Sequence, residues 1–168
     1  MNIKRIVVGE LQENCYIVEK NSKCIIIDPG DEFDKIKESI DKEVVGVLIT
    51  HHHFDHVGVL DEILRYYNIR CENEKVEDFD SEIIKTPGHT FDSLTFYFKE
   101  DKVMFTGDFL FRQSIGRLDL GGNSKDMIDS LNNILKYPYD TIIYPGHGDK
   151  TKLGDEIDSI KYFISILN

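Results

Sequence analysis

Four of the six histidines in this 168-residue chain fall within six consecutive positions, in Ile49-Thr50-His51-His52-His53-Phe54-Asp55-His56. The segment closes an apolar, strand-like run and leads into a helical pattern, so its side chains radiate from a point where the chain changes direction. In extended backbone His51 and His53 point to one face and His52 to the other, so the outer two can share a metal ion while His52 is expected to stay out of it. Asp55 and His56, at the turn into the helix, point in a different direction and can serve a second ion. Imidazole and carboxylate donors suit zinc, iron or manganese. The three cysteines, Cys15, Cys24 and Cys71, form no CxxC pair, which argues against a structural thiolate site.

Three later segments repeat one form, a polar residue just beyond an apolar run: Thr86-Pro87-Gly88-His89, Phe105-Thr106-Gly107-Asp108 and Tyr144-Pro145-Gly146-His147. Glycine lets the backbone turn close to an ion and proline restricts the approach, so each loop offers one ligand: His89, Asp108 and His147. Asp28, Thr50 and Thr90 lie close to these segments, where hydroxyl and carboxylate groups are expected to orient imidazoles.

The elements that must position these residues are legible from periodicity. Runs at Ile3 to Val8, Asn14 to Glu19 and Lys23 to Asp28 read as a β meander, with Asn21-Ser22 as a hairpin turn and Asp28-Pro29-Gly30 as its end. Phe33, Ile36 and Ile40 follow at helical spacing, and Val44 to Ile49 reads as a strand buried on both faces. Val57, Leu60, Ile63 and Leu64 predict one helix running through Arg65, and Ile69-Arg70-Cys71 a short strand. The acidic stretch Glu72 to Glu82 is expected to be exposed and to add no core. Strands follow at Ser93 to Phe98 and Val103 to Thr106 across a Glu100-Asp101 turn. A helix is predicted over Lys125 to Lys136, a strand over Thr141 to Tyr144, and a terminal helix from Leu153 to Leu167. Small meanders alternating with helices imply sheets covered by helices in a single domain, 1–168.

Composition narrows the function classes. Twenty Lys and Arg against 31 Asp and Glu give a formal net charge of -11, a surface field that repels phosphate backbones and anionic membranes. A nucleic-acid groove and membrane binding are therefore not expected. The N-terminal residues lack the apolar segment of a secretory signal, and no stretch is long enough to span a bilayer. An odd cysteine count suits a reducing compartment, and a cytoplasmic location is the expectation.

With those residues in place, the chain resembles the metallo-β-lactamase superfamily, whose signature is HxHxDH followed by later His, Asp and His ligands. The match is His51, His53, Asp55 and His56, then His89, Asp108 and His147. The resemblance implies an α+β fold, a four-layered αββα sandwich with the metals at one edge. It also implies that His51, His53 and His89 hold one divalent ion, that Asp55, His56 and His147 hold a second, and that Asp108 bridges them. Zinc is the expected metal, with iron or manganese as alternatives. Such a pair lowers the pKa of a shared water, and Asp55 has the further role of orienting it.

Within the superfamily the chain resembles the hydroxyacylglutathione hydrolase (glyoxalase II-like) branch. Asn14-Cys15-Tyr16-Ile17, Asp28-Pro29-Gly30, Gly107-Asp108-Phe109-Leu110-Phe111, Ser114-Ile115-Gly116-Arg117-Leu118-Asp119-Leu120 and Tyr144-Pro145-Gly146-His147-Gly148 carry that likeness. It implies a hydrolase of small thioesters, with Arg117 and Tyr144 as candidate substrate contacts. Only 20 residues follow Gly148, so the C-terminal helical domain of the long glyoxalase II enzymes, which supplies glutathione contacts, is expected to be lacking. The 32 residues between His56 and His89 form a short insert for this superfamily and suggest an open cleft. A homodimer is compatible with so small a domain. The alternatives of the same ligand set are a mononuclear iron persulfide dioxygenase and a lactone hydrolase. Nuclease and β-lactamase activities are disfavoured by charge and length and by aspartate rather than cysteine at 108.

Overall fold

The computed structural model describes residues 1–70, 72–76 and 78–168. Cys71, which falls in the short strand predicted at Ile69-Arg70-Cys71, and Glu77 of the acidic stretch lie outside the described residues. The chain divides into two compact units, Met1–Asp80 and Ser81–Asn168.

Unit 1 contains β1 (Asn2–Val8), β2 (Glu13–Lys20), β3 (Lys23–Ile27), α1 (Phe33–Glu38), β4 (Glu43–Leu48), α2 (Phe54–Val57) and α3 (Leu60–Tyr67). The strands order as β1-β2-β3-β4, the first two pairings antiparallel and β3-β4 parallel. The hairpin turn falls at Asn21-Ser22 as expected, with Asn21 in the left-handed region (φ 56°) that asparagine tolerates. Alternate residues Cys15 and Ile17, then Cys24 and Ile26, pack in one cluster with Ile36 of α1 and Leu60 and Ile63 of α3. Helical and strand periodicities meet in that layer.

The single helix predicted after the histidines is two. The chain breaks at Gly58-Val59, where the Val59 N–H donates to the Pro29 carbonyl (3.2 Å) and a Cβ on Gly58 would stand 2.2 Å from the Gly30 carbonyl oxygen. The predicted strand at Ile69-Arg70 is absent as well. Asn68 adopts φ 55° and ends α3, and the Ile69 N–H donates to the Leu64 carbonyl, so these residues complete a helix-ending motif. The acidic stretch does contribute buried apolar surface. Phe79 is 4% exposed, its N–H donating to the Val76 carbonyl, while Asp80 beside it stays exposed.

Unit 2 contains β5 (Glu82–Lys85), β6 (Leu94–Phe98), β7 (Val103–Gly107), β8 (Leu110–Phe111), β9 (Ser114–Ile115), α4 (Ser124–Ile134), β10 (Ile142–Pro145), β11 (Thr151–Lys152) and α5 (Leu153–Leu167). Its main sheet orders as β11-β10-β7-β6-β5, with β7-β10 parallel and the other pairs antiparallel. Asn123 caps α4 by accepting from the Asp126 N–H (2.9 Å). Met127, Leu131 and Ile134 of α4 and Leu153 and Ile160 of α5 pack with Ile84, Tyr97, Met104 and Ile143 of the sheet. The β8-β9 hairpin and β11 were not predicted. Two-residue strands are too short for alternation to show.

Each unit thus has an antiparallel meander followed by a helical crossover to a strand parallel to the meander's last. In both, the residues with chemistry follow the carboxyl ends of the parallel pair: Asp28 after β3 and His51 after β4, Asp108 after β7 and His147 after β10.

Candidate functional site

In unit 1 the buried carboxylate of Asp28 organises the histidine loop. Its Oδ1 accepts the Thr50 N–H (2.8 Å) and its Oδ2 accepts the Thr50 hydroxyl (2.6 Å). The same Oδ2 lies 3.0 Å from His56 Nδ1. A carboxylate only accepts, so His56 donates from Nδ1 and its Nε2 keeps a lone pair. Thr50 spends its one proton on Asp28, so its oxygen accepts from His51 Nδ1 (3.2 Å), and His51 likewise keeps its Nε2 lone pair. That Nε2 lies 3.1 Å from His53 Nδ1. Two nitrogens about 2.0 Å from one tetrahedral ion would be separated by about 3.3 Å, so the pair fits a shared metal. Asp55, partly exposed, has Oδ2 3.8 Å from His56 Nε2.

In unit 2, His89 is buried and its Nδ1–H donates to the Arg117 carbonyl (2.7 Å), which again leaves Nε2 as the donor atom for a metal. Asp108 Oδ2 stands 3.6 Å from His89 Nε2 and 3.6 Å from His147 Nε2. One carboxylate oxygen equidistant from two imidazole nitrogens fits a carboxylate that serves more than one coordination sphere. In three histidines the ring nitrogen away from a metal is tied to an oxygen acceptor, the arrangement that holds ligating imidazoles in one tautomer and orientation.

Among the described residues the cysteines, Cys15 and Cys24, are both buried. Burial pushes the Cys15 thiol well above its usual pKa and the Cys24 thiol up to about 11.

The predicted residues are placed as follows. His51, His53, Asp55 and His56 converge within unit 1, and His89, Asp108 and His147 within unit 2. His52 is exposed, with Nε2 3.5 Å from Glu72. Asp28 and Thr50 orient imidazoles as expected, whereas the buried Thr90 hydroxyl pairs with that of Ser93 (2.7 Å). The Arg117 guanidinium is exposed and pairs with Asp119 at 3.0 and 2.6 Å. Tyr144 is half-buried and stacked on Phe105, ring centroids 5.3 Å apart. Glu13 was missed: it is 1% exposed, its Oε1 3.8 Å from His56 Nδ1. The signal was a carboxylate at the head of a run buried on both faces.

Comparison with known families matches the metallo-β-lactamase superfamily over residues 8–70 and 72–147. Hydroxyacylglutathione hydrolase GloC of Haemophilus influenzae is 33% identical, over 93% of this chain and 95% of its own. Among solved structures, BLEG-1 B3 metallo-β-lactamase superposes with TM-score 0.86 at 29% identity, covering 96% of this chain and 99% of its own. A protein solved in a di-iron-bound form superposes with TM-score 0.81 at 30% identity, covering 93% of this chain and 98% of its own.

Proposed function

Because the chain belongs to the metallo-β-lactamase superfamily and has its α+β architecture, we propose that it hydrolyses small thioesters to a carboxylic acid and a thiol. The broader class, a metal-dependent hydrolase, follows from family membership and the His/Asp ligand sets. The observation that carries the reading is the set of three imidazoles, His51, His56 and His89, whose Nδ1 atoms are tied to acceptors so that Nε2 is presented to a metal.

In this proposal His51, His53 and His89 would hold one ion and Asp55, His56 and His147 a second, with Asp108 serving as a ligand to both. When bound, the ions supply a water acidic enough to attack near neutral pH and an electrophile for the developing oxyanion. Asp55 accepts a hydrogen bond from the attacking water and aims it at the carbonyl carbon. Water adds to that carbon, the C–S bond breaks, and the sulfur leaves readily because thiol pKa values lie near about 8.5. Arg117 and Tyr144 are proposed substrate contacts. The Arg117–Asp119 pair is exposed and screened by water, so the guanidinium can exchange Asp119 for a substrate anion. The thioester reading is supported by the likeness to the Haemophilus influenzae hydroxyacylglutathione hydrolase. The di-iron form of the other relative keeps iron beside zinc as the native metal.

The test is metal content per chain on untagged protein, with hydrolysis of thioester, lactone and β-lactam panels. About two divalent ions per chain and thioester turnover are expected, and Asp108→Ala should lose the second ion and lower turnover by at least about a thousandfold. One iron per chain with oxygen consumption on a persulfide would replace this reading by the dioxygenase.

A further inference from the structure

Glu156, in the first turn of α5, is 1% exposed. A glutamate almost never lies so deep unless its oxygens are held. Both are held here: Oε2 accepts the Gln113 N–H (2.6 Å) at the tip of the β8-β9 hairpin, and Oε1 accepts the Thr151 hydroxyl (2.5 Å) of β11. A carboxylate that merely answered the positive end of the α5 dipole would stand at the surface, as the neighbouring Asp155 does. Glu156 turns inward instead and joins two segments outside its own helix.

Each of those segments leads to candidate ligands of this unit. After Gln113 the hairpin runs on to Arg117, whose carbonyl is the acceptor that holds His89 Nδ1–H (2.7 Å). Before Gln113 the hairpin starts just past Asp108, where the Phe109 N–H donates to the Thr106 carbonyl (3.1 Å) and the Thr106 hydroxyl donates to the Leu110 carbonyl (2.8 Å). β11 pairs with β10, Thr151 opposite Ile143, and so closes the loop 146–150 that carries His147. The two regions also meet directly. The Gly146 N–H donates to the Gly107 carbonyl (2.8 Å), and the Phe111 ring of the hairpin packs edge-on against His147, centroids 6.2 Å apart.

Phe109, Leu110 and Ile115 share an apolar cluster with Leu153 and Ile160 of α5, so the hairpin is already seated on the helix. Apolar contact has no direction, whereas two hydrogen bonds to one carboxylate fix distance and angle. Glu156 therefore sets where the hairpin and β11 stand against α5. In unit 1 the buried Asp28 works on the imidazoles in the same manner, one step closer to them.

We propose that Glu156 is a positioning residue for the metal ligands of unit 2: through Gln113 it places the hairpin that orients His89 and adjoins Asp108, and through Thr151 it places the loop that presents His147. The proposal rests on the metal-dependent hydrolase reading but on no particular substrate. Glu156 acts through backbone and β11, so its removal changes how metal is held as well as how stable the fold is.

The test is cobalt(II) titration of the metal-free full chain, followed by visible absorption, whose ligand-field bands report coordination geometry, with a competing chromogenic chelator for affinity. Glu156→Met removes both acceptors at similar volume and is expected to lower cobalt affinity about 10–100-fold and to shift the bands. Glu156→Gln should restore both, because its amide oxygen can accept the Gln113 N–H and its amide nitrogen can donate to the Thr151 oxygen. Thr151→Val cuts only the tie to β11 and should weaken one of the two ions at least about tenfold more than the other. Circular dichroism verifies that each variant is folded when titrated. A folded Glu156→Met with wild-type affinity and bands, or a Glu156→Gln as damaged as Glu156→Met, overturns the proposal. Where Glu156→Met does not fold, Thr151→Val decides, and wild-type binding of both ions by that variant overturns it. A wild-type chain that binds two ions yet cleaves no thioester refutes the thioesterase reading and leaves this comparison intact, whereas one that takes up no cobalt overturns both.

Discussion

Asp28 is the one acceptor on which Thr50 and His56 both depend, and through Thr50 it also fixes the tautomer of His51. Asp28→Ala leaves buried donors without their carboxylate, each such loss costing about 1.5–3 kcal/mol. The expected outcome is a 10–100-fold fall, to order of magnitude, in metal affinity, measured by competition with a chromogenic chelator. An unchanged affinity would remove Asp28 from the orienting role. This layer was only partly legible in the sequence. Strand alternation separated His51 and His53 from His52, and the aspartate ending the third strand was a natural candidate. Arg117 shows where side-chain reasoning stops: its side chain suggested substrate, yet its backbone carbonyl is what holds His89. A carbonyl is common to every residue, so no residue type can announce it. Glu13 escaped for a related reason, since in β2 both faces are buried and alternation loses its meaning.

At the level of elements, the parallel pairings β3-β4 and β7-β10 bring the carboxyl ends of two strands together, and the loops that follow them carry the chemistry. The sequence showed this as polar residues placed just beyond apolar runs, and those strands are found within a residue or two of their expected bounds. What it concealed were features set by contact between loops. The break between α2 and α3 depends on Gly58 meeting Gly30, and the β8-β9 hairpin folds Gly116 against the Asp108 backbone. A Cβ on Gly116 would stand 1.8 Å from the Asp108 carbonyl oxygen and 2.9 Å from His89 Nδ1. Backbone cannot yield as a flexible side chain does, so Gly116→Ala is expected to destabilise the protein by about 4 kcal/mol or more and to weaken metal binding. Urea unfolding and metal titration of the variant measure both effects, and a wild-type urea midpoint would contradict the close approach.

For the molecule as a whole, the proposed function links metal binding to stability. Metal binding to the native state alone adds stability by mass action, about 4 kcal/mol when free metal is a thousandfold above its dissociation constant. Chelation should therefore lower the thermal midpoint by on the order of 10 °C for a chain of this size, read by calorimetry with and without chelator. A midpoint indifferent to chelator would mean that the ligands do not hold metal in the folded state. No helix among the described residues is long and apolar enough to cross a membrane.

Asn73 bonds the backbone that leads into the histidine loop. Its N–H donates to the Val47 carbonyl (2.8 Å), its side-chain oxygen accepts the Ile49 N–H (2.8 Å) and its side-chain nitrogen donates to the Ile49 carbonyl (3.3 Å). One residue, at φ 59°, thereby stands in for a neighbouring strand along β4, the last strand in its sheet's order. Val76 lies beside it over Gly46. The run from Val44 to Ile49 is short, apolar and rich in β-branched residues, the composition from which chains stack into fibrils when an edge is left bare. Occupying those backbone groups from within the chain denies them to another copy, so Asn73 bears on how concentrated the protein can become before it self-associates.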